Sequence, residues 1–353
     1  MGDNSSIEWT DATWNPLAGC SPVSEGCRNC YAAKEAIRLQ GNPNLKVSAK
    51  YAGTAEMRGI GENRRAVFTG RINLDEEALR VPLRWQRPRR VFVNSMSDLF
   101  HPAVPDEFIG RVWDVMARSP RHTFQVLTKR PDRMAELLPR FAERHTARDG
   151  SGWPLRNVWV GTSVEDQAAA NERIPHLLRT PAAVRFLSCE PLLGSIDLTD
   201  LVVSDGRPGE WHMDAIRIDV DVADDEPFFG SVIHWVIAGG ESGPHARPMH
   251  PVWVRSLRNQ CEGAGVAFFF KQWGEWKPIS DMTEAEYDRL YDPAPQRDPE
   301  AVRRCRVSNI QLQDDGEVGF RSHSMLMFRV GKHAAGRQLD GRTWATFPVE
   351  VAR

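Results

Sequence analysis

The chain has 353 residues, of which 41% are hydrophobic and 26% charged, with a formal net charge of -2. That composition is expected of an ordinary globular protein able to bury a sizeable core, as one large domain or two smaller ones. It excludes a global electrostatic attraction to nucleic acid or membrane, so either partner has to be met by a local patch.

The amino terminus is polar and no run of eighteen apolar residues occurs, so no membrane partner is expected and the predicted location is the cytoplasm. In that reducing compartment clustered cysteines bind metal or do redox chemistry more often than they form disulfides. Such a cluster comes first in chain order. Cys20, Cys27 and Cys30 are spaced C-x6-C-x2-C in a segment rich in Gly, Pro and Ser, and Cys30 opens a helical pattern. Backbone N–H groups at a helix start stabilise thiolate charge. No fourth Cys lies nearby, and the first His is His101. Three readings stand: a disulfide with one spare thiol, a zinc site completed by a distant residue, and an iron–sulfur cluster with three protein ligands. A closed zinc site takes four protein ligands, commonly in C-x2–4-C pairs, so three sulfurs suit a cluster with one open iron better.

Residues 41–90 carry a loose pattern with a short apolar run at 67–70 and a short helix predicted over 74–83. From Arg90 onward strands and helices alternate. Strands are predicted to start near Arg90, Thr123, Asn157, Val184, His234 and Val266, with helices over 106–117, 131–144, 167–178 and 251–264. The alternation predicts right-handed βαβ units on a parallel sheet. The predicted class is α/β, a full or partial (β/α) barrel over residues 1–277, with a doubly wound sheet as the alternative. An excursion at about 204–231, rich in Asp, Gly and Pro, interrupts it and reads as a possible hairpin around an alternating core at 216–220. Residues 278–353 form a polar carboxy-terminal extension, with a helix expected over 281–290 and a Pro/Asp-rich run at 292–299.

Polar residues collect where the predicted strands end: Asn94, Ser95, Ser97 and Asp98, then Lys129, then Ser163 and Glu165, then Glu190, then Gly239, Gly240 and Glu241, then Lys271. In a barrel the active site is built at that end. Cys189 and Lys271 are candidates for a reacting group there. The basic run Lys332, His333, Arg337, Arg342 reads equally as a phosphate-binding patch or a solvated segment, whereas Arg84, Arg87, Arg89, Arg90 suits nucleic-acid binding but more often marks a solvated face.

The segments Trp14-Asn15-Pro16, Gly19-Cys20 and Gly26-Cys27-Arg28-Asn29-Cys30-Tyr31-Ala32 resemble the three-Cys signature of the phage Gp37/Gp68-type family (DUF5131). Its layout is similar to radical S-adenosylmethionine enzymes of the spore photoproduct lyase branch. The stretch from Ser95 to Pro102 is similar to the S-x-T-D-x-Y-x-P stretch of photoproduct lyases, whereas the first cysteine gap is six residues instead of the three common in radical enzymes. The likeness covers about residues 7–277 and an ending at 331–344. It implies a barrel of radical SAM type with a [4Fe-4S] cluster on Cys20, Cys27 and Cys30 and S-adenosylmethionine on the remaining iron. An electron-donor protein and hydrogen abstraction from a substrate complete the expectation, with a nucleic acid or nucleotide as the substrate hypothesis that the likeness suggests. It further implies Ser95, Ser97 and Asp98 at the methionine amino group, Lys129 beside them and Ser163 and Glu165 at the ribose. Glu190 falls near the adenine-side turn, with Gly239, Gly240 and Glu241 in close approach. The competing expectation is a non-catalytic binding protein stapled by zinc on the same cysteines. Zinc-dependent hydrolysis is disfavoured because no H-x-E or H-E-x-x-H signature occurs.

Overall fold

Runs of Val, Ile and aromatic residues, bounded by turns, form the frame. In the computed structural model residues 5–149, 152–203, 211–217, 232–293, 304–319 and 323–349 are described. Seven strands make one parallel sheet: β1 (Ala12–Trp14), β2 (Arg90–Val93), β3 (Thr123–Thr128), β4 (Val158–Ser163), β5 (Val184–Cys189), β6 (Trp235–Gly239) and β7 (Ala267–Gln272). Their spatial order is their chain order, each strand pairing in parallel with the next. A doubly wound sheet reverses its order at a switch point; this one never does. It is a curled half-barrel, because β1 and β7 do not pair with each other among the described residues and the sheet stays open. A full barrel is therefore not formed. The carboxy-terminal segment instead covers the β7 edge, where Phe270 N–H donates to Trp344 C=O at 3.0 Å and Thr346 N–H to Phe268 C=O at 3.2 Å.

Side chains alternate across the sheet, as the period of a strand requires. Val91, Val93, Phe124, Val126, Val158, Val160, Leu187 and Cys189 join the large core beneath the outer helices. Those helices are α2 (Asp106–Ala117), α3 (Pro131–Asp149), α4 (Gln167–Arg179) and α5 (Pro251–Ala264), numbered after α1 (Tyr31–Gln40) of the cysteine segment. Phe92, Trp159, Phe186, Trp235, Ile237 and Phe269 point the other way and pack with Trp9. Trp9 lies 4.7 Å from Phe92 and 6.1 Å from Trp235, and Phe347 lies 5.1 Å from Trp235. These rings fill the concave side near the start of the strands, so any cavity must open at their carboxyl ends.

The sequence-based expectations fail where elements are short. β1, only three residues long, carries no readable period. The loose region contains a helix, Leu45–Tyr51, and an antiparallel hairpin of Ala55–Arg58 with Arg65–Phe68. The helix predicted over 74–83 is one turn, Glu76–Leu79, followed by a 3-10 turn, and that predicted over 281–290 is Glu284–Asp288. In the excursion Leu201–Val203 pairs antiparallel with Trp211–Met213; residues 204–210 and 218–231, with most of the expected alternating core, lie outside the described residues, as does most of 292–299. In the extension Trp276–Pro278, Asn309–Leu312 and Met325–Arg329 form a three-stranded antiparallel sheet. No helix of the described residues is long and apolar enough to cross a membrane.

Candidate functional site

A cavity of about 480 Å³ opens at the carboxyl ends of the strands, lined by all three clustered cysteines. The loop carrying them leaves β1 and crosses the open end of the half-barrel. It is pinned at almost every turn. Ser97 Oγ donates to Leu17 C=O at 3.1 Å, and Gly70 N–H to Cys20 C=O at 3.0 Å. Arg130 reaches from the end of β3: one guanidinium nitrogen lies 2.8 Å from Asp98 and 3.8 Å from Cys20 Sγ, the other 3.0 and 2.9 Å from the Ser21 carbonyl and hydroxyl. His101 Nδ1 accepts from Ala103 N–H at 3.2 Å. Burial and Arg130 keep its pKa below the ordinary value. The neutral ring then carries its proton on Nε2 and donates it to Ser21 Oγ at 2.9 Å.

The second half of the loop is held from β6. Glu241 accepts from Asn29 Nδ2 at 2.9 Å, and from Arg247 at 2.8 and 3.0 Å, while Arg247 donates to Glu25 C=O at 3.0 Å. Asn29 stands between Cys27 and Cys30. Cys30 then caps α1. Burial pushes its thiol pKa up, and the Ala33 and Ala32 N–H groups at the start of α1 pull it back, without a hydrogen bond to the sulfur. Burial and Asp98 push Cys20 up to about 12, against the pull of Arg130. Both surroundings favour the thiol over the thiolate. Binding of a cationic centre would therefore displace protons. Among the described residues, no three Cys, His, Asp or Glu side chains gather closely enough to hold one metal ion as they stand.

The remaining strand-end residues divide. Ser95, Ser97, Asp98, Lys129, Ser163, Glu190, Gly240, Glu241 and Lys271 line the cavity together with Ser188 and Lys332. Glu190 and Lys271 form an ion pair at 2.9 Å across it, so Lys271 is not an isolated base. Asp98 is saturated: besides Arg130 it accepts from Thr128 Oγ1 at 2.7 Å and from the Phe100 and Lys129 N–H groups at 2.9 and 3.3 Å. It positions Arg130 and leaves little for a ligand.

Two expectations, for Cys189 and Glu165, need correction, and the remaining candidates fall as follows. Cys189 points outward into the helix-facing core and is fully buried, because β5 alternates and Ser188 takes the inward place. Glu165 does not line the cavity; Arg173 of α4 captures its carboxylate at 2.9 Å, and both side chains are only 3% exposed. A Cβ on Gly26 would approach that carboxylate to 3.0 Å, so Glu165 supports the cysteine loop from below. Gly239 and Gly240 admit the protein's own atoms: a Cβ on Gly239 would come within 2.9 Å of Glu190 Oε1, and one on Gly240 within 2.0 Å of Trp273 C=O. The Arg84–Arg90 run sits at the start of β2, at the opposite end of the strands from the cavity. In the tail, Arg337 and Arg342 stack on Phe269 and Trp344, and Lys332 alone of that basic group reaches the cavity lining.

Arg130 and Arg247 were not singled out from the sequence, and Asn29 and Tyr31 entered only as members of the cysteine motif. Arg130 follows Lys129 at a strand end and had a local signal; Arg247 meets the loop across more than two hundred residues and had none.

Two smaller effects follow. Ser97→Ala removes one hydrogen bond to the loop and should cost about 1 kcal/mol in a urea melt. Burial raises the Glu165 pKa, but Lys129, Ser24 and Arg173 more than offset it, so it lies below 4.5. A depressed folded-state pKa contributes stability above the unfolded value that is lost as pH falls through the folded one. Between about pH 5 and pH 3, Glu165→Gln should therefore lose stability less steeply than the parent chain; equal slopes would remove Glu165 from the acid transition.

Fold and site together define an open (β/α) half-barrel whose carboxyl end is crossed by a pinned three-cysteine loop. The chain belongs to the DUF5131 family, described as a protein of unknown function, whose family model matches residues 4–348. No curated protein and no solved structure is significantly similar to it.

Proposed function

We propose that the protein is a radical S-adenosylmethionine-type enzyme, with Cys20, Cys27 and Cys30 as the protein ligands of a [4Fe-4S] cluster. One observation carries this reading: three cysteines of the loop between the first parallel strand and α1 face a single cavity at the carboxyl end of a sequentially ordered half-barrel. The donor set fits. A cluster gives each thiolate its own iron and leaves one iron open, so three sulfurs have to share a cavity but not a single point. The chemistry such a group supplies when bound is reductive cleavage of a sulfonium cofactor and hydrogen-atom abstraction from a substrate.

The chain's own residues supply the rest. Arg130 beside Cys20 and the α1 N–H groups beside Cys30 offset thiolate charge in a buried setting. The aromatic floor of Trp9 and Phe92 keeps water from the closed end of the half-barrel. Lys129 and the hydroxyls of Ser163 and Ser188 offer a cation and neutral donors to the carboxylate and hydroxyls of a cofactor. Glu190 and Lys271, paired with each other, present both charges without a net one.

The test is purification without oxygen, with iron, sulfide and zinc measured per chain and the visible spectrum recorded before and after dithionite. A brown protein with about four irons that releases 5′-deoxyadenosine from S-adenosylmethionine supports the reading. A colourless protein holding one zinc would overturn it in favour of a metal-stapled binding protein.

A further inference from the structure

Asn94 carries a buried amide at the end of β2. Val91 and Val93 of that strand join the outer core, while Phe92 faces the concave side. Alternation carries Asn94 to the face of Phe92, and both residues line the cavity. Asn94 is 3% exposed, yet neither its Nδ2 nor its Oδ1 has a hydrogen-bond partner among the described residues. Its backbone is engaged: the N–H donates to Trp14 C=O at 2.8 Å, and the C=O accepts from Ser97 N–H at 3.2 Å.

We propose that Asn94 is a specificity-determining residue, which binds the edge of a neutral planar ring where a hydrogen-bond donor and an acceptor stand side by side, as in a cyclic amide or an amidine. It rests on the radical enzyme proposed above for the chemistry but not for the binding.

Three observations converge. A buried amide without partners costs free energy, and the two asparagines that shape the cysteine loop are satisfied. Asn29 donates to Glu241 and to His245 C=O, both at 2.9 Å, and accepts from Arg65 at 3.1 Å. Asn15 accepts from Met96 N–H at 3.0 Å and donates to Ser95 Oγ at 3.2 Å. The backbone at Asn94 does not call for this side chain either. Its φ of 61° lies in the left-handed region, which glycine adopts more freely, so asparagine adds only its amide there. Finally, Trp9 Nε1 and Gln272 Oε1 are also buried without partners, and both residues line the same cavity. They add one donor and one acceptor to the Asn94 pair.

The class of ligand follows from the chemistry. An amide offers N–H and C=O side by side, and either orientation of the Asn94 side chain presents that pair. Its full complement is a second group with the same pattern reversed. The neighbourhood is apolar: Phe92 precedes Asn94 on its face, and Leu127 lies beside it, one step beyond the pairing of Val93 with Val126. An apolar wall with a few convergent polar atoms suits a neutral ring better than an ion. An ordered water, which can bridge both amide atoms, is the rival occupant.

The experiment is saturation-transfer NMR on the full chain with two matched pairs of probes. One is 2-pyridone against N-methyl-2-pyridone, which lacks the donor; the other is adenosine against purine riboside, which lacks the amino group. In at least one pair the complete edge should bind about tenfold tighter than its mate. A preference for adenosine that S-adenosylhomocysteine abolishes assigns Asn94 to the ring of the cofactor. A preference for 2-pyridone that persists beside S-adenosylhomocysteine assigns it to the substrate. Asn94→Gly, which suits the positive φ, should abolish the preference without lowering the melting temperature of the ligand-free chain. Asn94→Asp, which keeps the shape and loses the donor, should reduce the preference. The inference fails if neither pair is discriminated or if the preference survives Asn94→Gly. It fails equally if Asn94→Gly lowers the melting temperature by several degrees, the mark of an amide held in place by water. Loss of iron and of 5′-deoxyadenosine release with the preference intact would overturn the radical reading alone. Intact cofactor cleavage without any preference would overturn this inference alone.

Discussion

Cys27→Ala is expected to abolish the visible absorption of anaerobically purified protein and to reduce iron from about four per chain to near zero. A cluster with three protein ligands has no spare one. The polypeptide should survive the change. The loop is held by Arg130, Ser97, Glu241 and Arg247, none of which contacts Cys27 Sγ. The metal-free variant should therefore melt within about 1 kcal/mol of the metal-free parent. Cys189→Ala is the control. Its side chain is fully buried in the helix-facing core, so the variant should keep its iron and lose about 1 kcal/mol of packing. Iron retained in Cys27→Ala, or lost equally in Cys189→Ala, would mean that the clustered cysteines do not form the centre.

Arg130→Gln should have the largest effect on stability, about 3 kcal/mol in denaturant melts of the metal-free chain. The Arg130 and Asp98 side chains are 12% and 8% exposed, so water screens the pair little. Removing the guanidinium leaves a buried carboxylate with only Thr128 and two backbone N–H groups as partners. It also releases both contacts to Ser21 and the contact to Cys20. The double variant Arg130→Gln/Asp98→Asn should recover part of the loss, because the orphaned charge is then gone. A single-variant loss below about 0.5 kcal/mol would show that the pair is effectively solvated. In loaded protein Arg130→Gln should also lower the reduction potential of the centre, since a hydrogen-bond donor and a positive charge beside one sulfur favour the reduced state.

Much of the fold could be read directly. The runs starting at Arg90, Thr123, Asn157, Val184, His234 and Val266 all became neighbouring strands of one parallel sheet, and helices 106–117 and 251–264 matched their predicted bounds. The site was readable as a list of strand ends but not as a set of roles. Asp98, Glu165 and Glu241 were expected at a cofactor. Asp98 and Glu241 border the cavity, yet the carboxylates of all three are taken by Arg130, Arg173 and Arg247. Which arginine faces which carboxylate depends on packing between elements, and no spacing in the chain records it.

The sequence by itself determined three things: the α/β alternation, the spacing of the cysteines, and the polar character of the strand ends. Each is a local property, fixed by the period of a strand or helix and by short loops. The tertiary structure decided the rest. The half-barrel stays open because β1 is three residues long and the carboxy-terminal segment occupies the β7 edge. Alternation on β5 turns Cys189 outward and Ser188 inward. The Arg84–Arg90 run falls at the opposite end of the strands from the cavity, while Arg130 and Arg247, which the sequence did not single out, come to hold the cysteine loop. A basic residue acts where the chain's long-range closure places it, and that closure follows from burying the apolar faces of distant elements together.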